Sequence, residues 1–320
     1  MIIVSVPGKV NLMGDHAIVH GYPSLLAAVN LRMVVTVEQT IKKAGGEALE
    51  IITTEPDTYV RQIVGVVQKQ IRMEKMPSLK ITINSAIPAG YHLGSSAATA
   101  VGVTGALVYF LKQLWNPTRI NEISYEAEKL QHGMPSGGDN TTVTFGGLLW
   151  FRKELEFLKS VWHLTFKPHS NIKQFYLIDT GRPKETTGEM VSLVREKVRR
   201  QKSKMQQTFS LNEVQVRAIT VALKEGNERN LVNSLRIGEK TLEDMGVVSK
   251  LAMKIIRKIE ENGGAAKILG GGGRRAGVGF LLAYHPNPRE LSRLADRNGW
   301  KIQPIKLGEE GIRLEKMRQN

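Results

Sequence analysis

The sequence predicts an α+β protein of two domains, residues 1–168 and 169–320. Three observations carry that expectation. At 320 residues the chain exceeds what one hydrophobic core usually supports. Short β-branched runs alternate with helical segments through the first half, and the texture changes near residues 160–172. A composition that is 41% hydrophobic and 23% charged is that of an ordinary globular protein.

Taken in order, Met1–Val6 is short, apolar and without a basic leader, so it reads as a first strand and not as a signal peptide. Val34–Gln39 and Leu79–Ile83 alternate β-branched residues and read as strands. The apolar segment from Ala97 to Trp115 begins with small residues that suit a helix start, and Asn116-Pro117 stops it. Gln174–Ile178 reads as a strand leading into a helical segment with Met190, Val191, Val194 and Val198 on one face. That segment carries the densest basic run, Arg195–Lys204. Asn212–Lys224 reads as a helix capped by Asn212, and Val247–Glu261 as one ended by Gly263-Gly264. Val278–Tyr284 is strand-like. Asn287, Pro288 and Glu290 combine a cap, a first-turn proline and a back-reaching glutamate, so another helix starts there. There is no internal repeat.

Composition narrows the function. The absence of cysteine excludes disulfides and thiolate metal sites, and suits a reducing, cytoplasmic setting. No stretch approaches the roughly 20 apolar residues of a membrane span. The formal charge of +15 invites a nucleic-acid reading, but aromatics are only 6% and do not interleave with the basic residues. We therefore expect no nucleic-acid and no membrane partner. A solvated basic helix face accounts for the charge; the alternative is a field that draws polyanionic small molecules into a cleft.

Chemistry concentrates in a few strings. Glu128-Lys-Leu-Gln-His-Gly-Met-Pro-Ser-Gly-Gly-Asp-Asn140 sets Glu128 and Asp139 on either side of a tight turn. One carboxylate can hold a divalent metal while the other meets a substrate hydroxyl. Gly90-Tyr-His-Leu-Gly-Ser-Ser96 lies between a strand and a helix start, where backbone N–H groups and the helix dipole favour phosphate. Its serines can ligate Mg²⁺ or bond phosphate oxygens, although Ser95 could equally be a helix cap. It is not a Walker sequence. A nominal G-x-G-x-x-A match at Gly271–Ala276 precedes a strand and not a helix, which rules out a dinucleotide fingerprint. That segment is either a flexible hairpin or a glycine loop closing over phosphate, with Arg274 and Arg275 as added contacts or as solvated charges. His16, His20, His92 and His132 lack metal-ligand spacing, and no G-x-S-x-G is present. With the basic residue of Pro7-Gly-Lys-Val-Asn-Leu-Met-Gly-Asp-His16, these parts point to phosphoryl transfer from a nucleotide to a small molecule.

Pro7–Gly21, Gly90–Ala98 and His132–Asn140 together resemble the three-part signature of the GHMP kinase family, in its mevalonate-kinase branch. Ile178–Thr187 and the glycines at 270–273 extend the likeness over most of the chain. The resemblance implies a ribosomal-protein-S5-domain-2-like first domain and a ferredoxin-like second one. It implies ATP-dependent phosphorylation of the mevalonate 5-hydroxyl for isoprenoid synthesis, by a homodimer, with ATP and Mg²⁺. Asp139 would be the base or orienting carboxylate, with Lys9 beside it. Ser96 and Glu128 would hold Mg²⁺, while Ser85, Gly90, Tyr91, His92, Leu93, Gly94, Ser95 and Ser96 would surround ATP. His16, with Asp15, Gly271 and Thr180, would approach the acceptor. Two rivals are a related kinase acting on phosphomevalonate or another small alcohol, and a non-catalytic basic RNA-binding or regulatory protein. The chain departs from the family pattern in three places. Asp15 stands where a glutamate is usual, Tyr91 and His92 stand where the phosphate loop has alanine and glycine, and Arg274-Arg275 follow the late glycines.

Overall fold

A computed structural model describes residues 1–40, 48–133 and 135–315. The chain opens with β1 (Ile2–Met13), a 3₁₀ turn at Ala17–His20 and the long strand β2 (Ser24–Gln39). Next come β3 (Leu49–Ile52), α1 (Thr58–Gln70), β4 (Leu79–Ser85), α2 (Ser95–Lys112), α3 (Pro117–His132) and α4 (Gly138–Phe145). The hairpin β5 (Leu148–Lys153) and β6 (Lys159–Leu164) precedes β7 (Phe175–Asp179). After it come α5 (Thr187–Arg200), α6 (Lys202–Glu225), α7 (Glu228–Met245), α8 (Lys250–Glu261), β8 (Ala265–Ile268) and β9 (Phe280–Tyr284). The chain closes with α9 (Pro288–Asn298), β10 (Ile302–Ile305) and β11 (Arg313–Leu314).

The first sheet is ordered β11-β1-β2-β4-β3, with β5 and β6 continuing from β2. β2 serves several neighbours because its start pairs with β5 and its end with β4, while β1 runs antiparallel along most of it. Every β1 side chain from Val4 to Met13 is buried, as expected for a strand covered on both faces. On one face lies α2, whose Gly102 lets the helix approach: a Cβ there would sit 2.8 Å from a Val35 methyl. The second sheet is antiparallel, ordered β10-β7-β9-β8. Numbered within that half this is 4-1-3-2, with helices in the first and last connections, which is the ferredoxin-like arrangement. One face carries Phe175, Leu177, Leu282 and Tyr284 against Val216, Leu231 and Leu235 in the main core. The opposite face packs Ile178 and Leu281 against Met190, Val194, Ile256 and Leu291. The last strand, β11, returns to the first sheet, setting Leu314 opposite Val4.

Four expected elements differ. The apolar segment ends as a helix at Lys112, and Asn116-Pro117 do not stop it but cap and open α3. Asn212 does not cap a helix: it lies inside α6, fully buried, and its side-chain amide donates to Thr241 Oγ1 at 2.7 Å. A buried cross-helix partner has overridden the usual preference of asparagine for helix ends. The basic run is not one helix face, because the chain breaks at Gln201 between α5 and α6. The helix expected from Val247 begins at Lys250, where Ser249 Oγ accepts from the Ala252 N–H and caps it.

Candidate active site

Lys9 lies in the interior of β1, and its ammonium sits 3.0 Å from Asp139 Oδ1. The lysine side chain is 5% exposed and the aspartate 45%, so a buried cation backs a carboxylate that faces open space. Gly94, with φ +77°, makes this possible, since a Cβ there would stand 2.8 Å from Lys9 Cγ. The Lys9 N–H donates to the Leu93 carbonyl at 2.9 Å, stitching β1 to the glycine loop. Asp139 sits in the first turn of α4, where the helix dipole favours negative charge.

Beside this pair, Ser96 Oγ donates to Glu128 Oε1 at 2.6 Å and Tyr59 donates to the same oxygen at 2.5 Å. His132 Nε2 stands 3.2 Å from Ser96 Oγ and 3.8 Å from Glu128 Oε2. Burial, followed by the Glu128 carboxylate, pushes the Tyr59 phenol well above its ordinary range. A hydroxyl and a buried carboxylate are the hard oxygen donors that Mg²⁺ prefers. Among the described residues no group of three or more His, Cys, Asp or Glu side chains could hold a metal. An ion at Ser96 and Glu128 would therefore take its other ligands from phosphate and water.

α2 begins after Gly94 with no side-chain cap, leaving its first N–H groups free of side-chain acceptors. Ser95 is the first helical residue and not the cap. A groove of about 440 Å³ runs away from this helix end, lined by Tyr59, Ser85, Gly90, Ser95, Ser96 and Gln131. The Ser85 hydroxyl is engaged locally with the backbone of Ile87. The Arg182 guanidinium packs on Gly90, with Nε 2.7 Å from where a Cβ would stand. Met134, within the acid-bearing turn, lies outside the described residues.

The opposite side of the centre is built across both halves. Asp15 is buried; its Oδ1 accepts from the Gly270 N–H at 2.9 Å and its Oδ2 from Lys267 at 2.6 Å. His16 Nε2 stands 3.1 Å from the Gly271 carbonyl. Since a carbonyl only accepts, Nε2 carries the proton and Nδ1, buried without a partner, is a lone pair. Burial lowers the His16 pKa, with Asp15 opposing in part. His92 packs on Gly270 and Gly271, and burial, assisted by Lys9, brings its pKa down to about 4. His16 and His92 both hold left-handed backbone, with φ +59° and +62°; strain of this kind collects at functional sites. Thr180 Oγ1 donates to the Gly279 carbonyl and accepts from the Val278 N–H, bracing the entry to β9. Tyr91 packs on Phe280 with the rings tilted by 42° and their centres 4.9 Å apart.

The structure thus brings together Lys9 with Asp139, Ser96 with Glu128, and Asp15 and His16 with the Gly270–Gly271 turn. It leaves the Ser85 and Thr180 hydroxyls occupied by backbone groups. Sequence reading passed over Lys267, Tyr59 and Arg182. Lys267 left a signal, a lone cation inside the apolar run Ala265-Ala266-Lys267-Ile268-Leu269. Tyr59 left none, because it resembles any other aromatic on an amphipathic helix.

Known proteins resemble this chain over most of its length. Residues 58–147 match the model of the GHMP kinases N terminal domain, and residues 1–39 the galactokinase galactose-binding signature. The mevalonate kinase of Thermococcus sibiricus is 26% identical over 351 aligned positions, covering 98% of each chain. A crystal structure of a mevalonate kinase superposes with TM-score 0.80 at 20% identity, covering 97% of this chain and all of that one. The L. major mevalonate kinase in complex with R-mevalonate gives TM-score 0.78 at 19% identity, covering 96% of each chain.

Proposed function

We propose that this chain, which belongs to the GHMP kinase family, transfers the γ-phosphoryl group of ATP to the 5-hydroxyl of mevalonate. The observation that carries the reading is the 3.0 Å contact between buried Lys9 and half-exposed Asp139, beside a glycine loop and an uncapped helix start. Phosphoryl transfer asks a protein chiefly for alignment and charge compensation. Asp139 Oδ1 or Oδ2 orients the acceptor hydroxyl and takes its proton. The hydroxyl oxygen forms a bond to the γ-phosphorus while the bond to the bridging oxygen breaks, and ADP departs with that electron pair. Lys9 lies next to the carboxylate, where it neutralises charge on the moving group. The N–H groups at the start of α2 receive phosphate oxygens, and the groove from Ser85 to Ser96 receives the nucleotide. Mg²⁺ held by Ser96 and Glu128 supplies further neutralisation of the phosphates when bound.

His16 reaches the acceptor through its free Nδ1, and Gly271 and Asp15 form the wall behind it. The acceptor assignment is supported by the named relatives, one of which was crystallised with R-mevalonate. The same reading assigns the nucleotide and transfer residues to 1–168, the remaining wall to 169–320, a homodimeric assembly and a cytoplasmic address.

The test is ADP release with mevalonate, phosphomevalonate and a panel of small alcohols, with the product identified by ³¹P NMR. Turnover on mevalonate giving a 5-phosphate monoester is expected. Turnover on another alcohol alone would move the acceptor, and none on any alcohol would end the kinase reading.

A further inference from the structure

Lys267 and Asp15 form an ion pair at 2.6 Å whose side chains are 0% and 1% exposed. All three ammonium protons are used: besides Asp15 Oδ2 they reach the carbonyls of Asn11 at 2.9 Å and Ile268 at 2.5 Å. The second Asp15 oxygen holds the Gly270 N–H. The pair therefore ties the turn after β1, where Asp15 precedes His16, to the glycines that follow β8. On the other side of Ile268, Glu239 Oε2 accepts the Ile268 N–H at 3.0 Å. Burial pushes its carboxyl well above the usual range, with Lys267 opposing. Among the described residues Asp15 is the carboxylate in ion-pair contact with Lys267.

A buried charge pair is a poor way to gain stability, because desolvation offsets the attraction and apolar side chains of similar volume do as well. What it supplies here is direction. Gly270–Gly273 has no side chains with which to fix itself, and Gly270 takes a left-handed φ of +55°. Its amide is held by Asp15, and Asp15 is aimed by Lys267. His16, the next residue along, grips the carbonyl of Gly271. The turn touches the glycine loop at His92, but none of Gly270–Gly273 lines the groove built by α1, β4 and α2.

We infer that Lys267 and Asp15 are positioning residues that set the height of the Gly270–Gly271 turn and hold His16 in register with the acceptor. The inference rests on the phosphotransferase reading. It gives Asp15 a supporting place behind the substrate and Lys267 a part in acceptor recognition without contact.

The test uses full-length protein and the paired substitution Asp15→Leu with Lys267→Met, which removes both charges and keeps the volume apolar. The double variant is expected to melt near wild type. Its KM for mevalonate should rise by roughly ten- to a hundredfold, since small misplacements cost that much, while its KM for ATP stays within about threefold. Mevalonate binding measured by calorimetry without nucleotide should weaken in parallel. Lys267→Arg is the companion if the pair fails to fold. It retains the charge but cannot put one nitrogen between Asp15, Asn11 and Ile268, so the same split in KM is expected. A folded variant with wild-type acceptor KM, or an equal rise in both KM values, overturns the inference. Failure of wild-type protein to bind or turn over mevalonate would instead count against the phosphotransferase reading.

Discussion

Replacing Lys9 with methionine removes the charge while keeping the unbranched stem that packs on Gly94. At 3.0 Å, two unit charges in surroundings of effective dielectric about 20 attract by about 5.5 kcal/mol. The Asp139 side chain is 45% exposed, so water screens a good part of that in the resting protein. In a closed site that excludes water, charge on a transferring phosphoryl group would be less screened. Removing one such preorganised donor typically costs about 2.7–4 kcal/mol, or roughly 10²–10³ in kcat. Stability should change little, because Asp139 keeps contact with solvent. The assay is steady-state ADP release with mevalonate and ATP, alongside a thermal melt. Lys9→Met is expected to melt near wild type and lose kcat by that factor, with ATP KM little altered. A folded variant within tenfold of wild-type kcat would refute the electrostatic role of Lys9.

Other predictions follow from single side chains. Gly94→Ala puts a Cβ 2.8 Å from Lys9 Cγ at a φ of +77°; it should lose roughly 1–3 kcal/mol in urea unfolding and reduce kcat as well. His92, with a pKa of about 4 against an ordinary 6.5, binds a proton more readily unfolded than folded. It therefore supports the fold fully above about pH 6.5, and roughly 3 kcal/mol of that support is lost by pH 4. His92→Gly should flatten this part of the acid-unfolding curve, and an unchanged slope would contradict the buried neutral imidazole. Glu239→Gln keeps an oxygen for the Ile268 N–H and should stay within about 1 kcal/mol of wild type at neutral pH. A much larger loss there would mean that Glu239 is charged.

Much of this molecule was legible in the order of its residues, and the gaps have physical causes. The end of β2 and β4 reveal themselves by β-branched alternation, and α9 by its Asn-Pro-x-Glu start, because those signals are local. Asn212 misled because its partner, Thr241, lies on another helix. The basic run around Gln201 hid a helix break because charge says nothing about chain direction. At the site, glycine loops and paired acids were readable as strings. Their mutual distances were not, since Lys9 and Asp139 meet only through the pairing of β1 and the start of α4. Lys267 escaped for a similar reason: its three acceptors include two backbone carbonyls, which no side-chain pattern encodes.

Asp139→Asn offers the most direct trial of the account. The amide keeps the shape and one acceptor oxygen but cannot take a proton, a contribution usually worth about 10²–10⁴-fold. Single-turnover transfer from ATP to mevalonate, with ATP binding measured in parallel, should show nucleotide affinity retained and the transfer step slowed by at least about a hundredfold. Transfer at near wild-type rate in a folded Asp139→Asn variant would contradict the proposal that this carboxylate receives the acceptor hydroxyl.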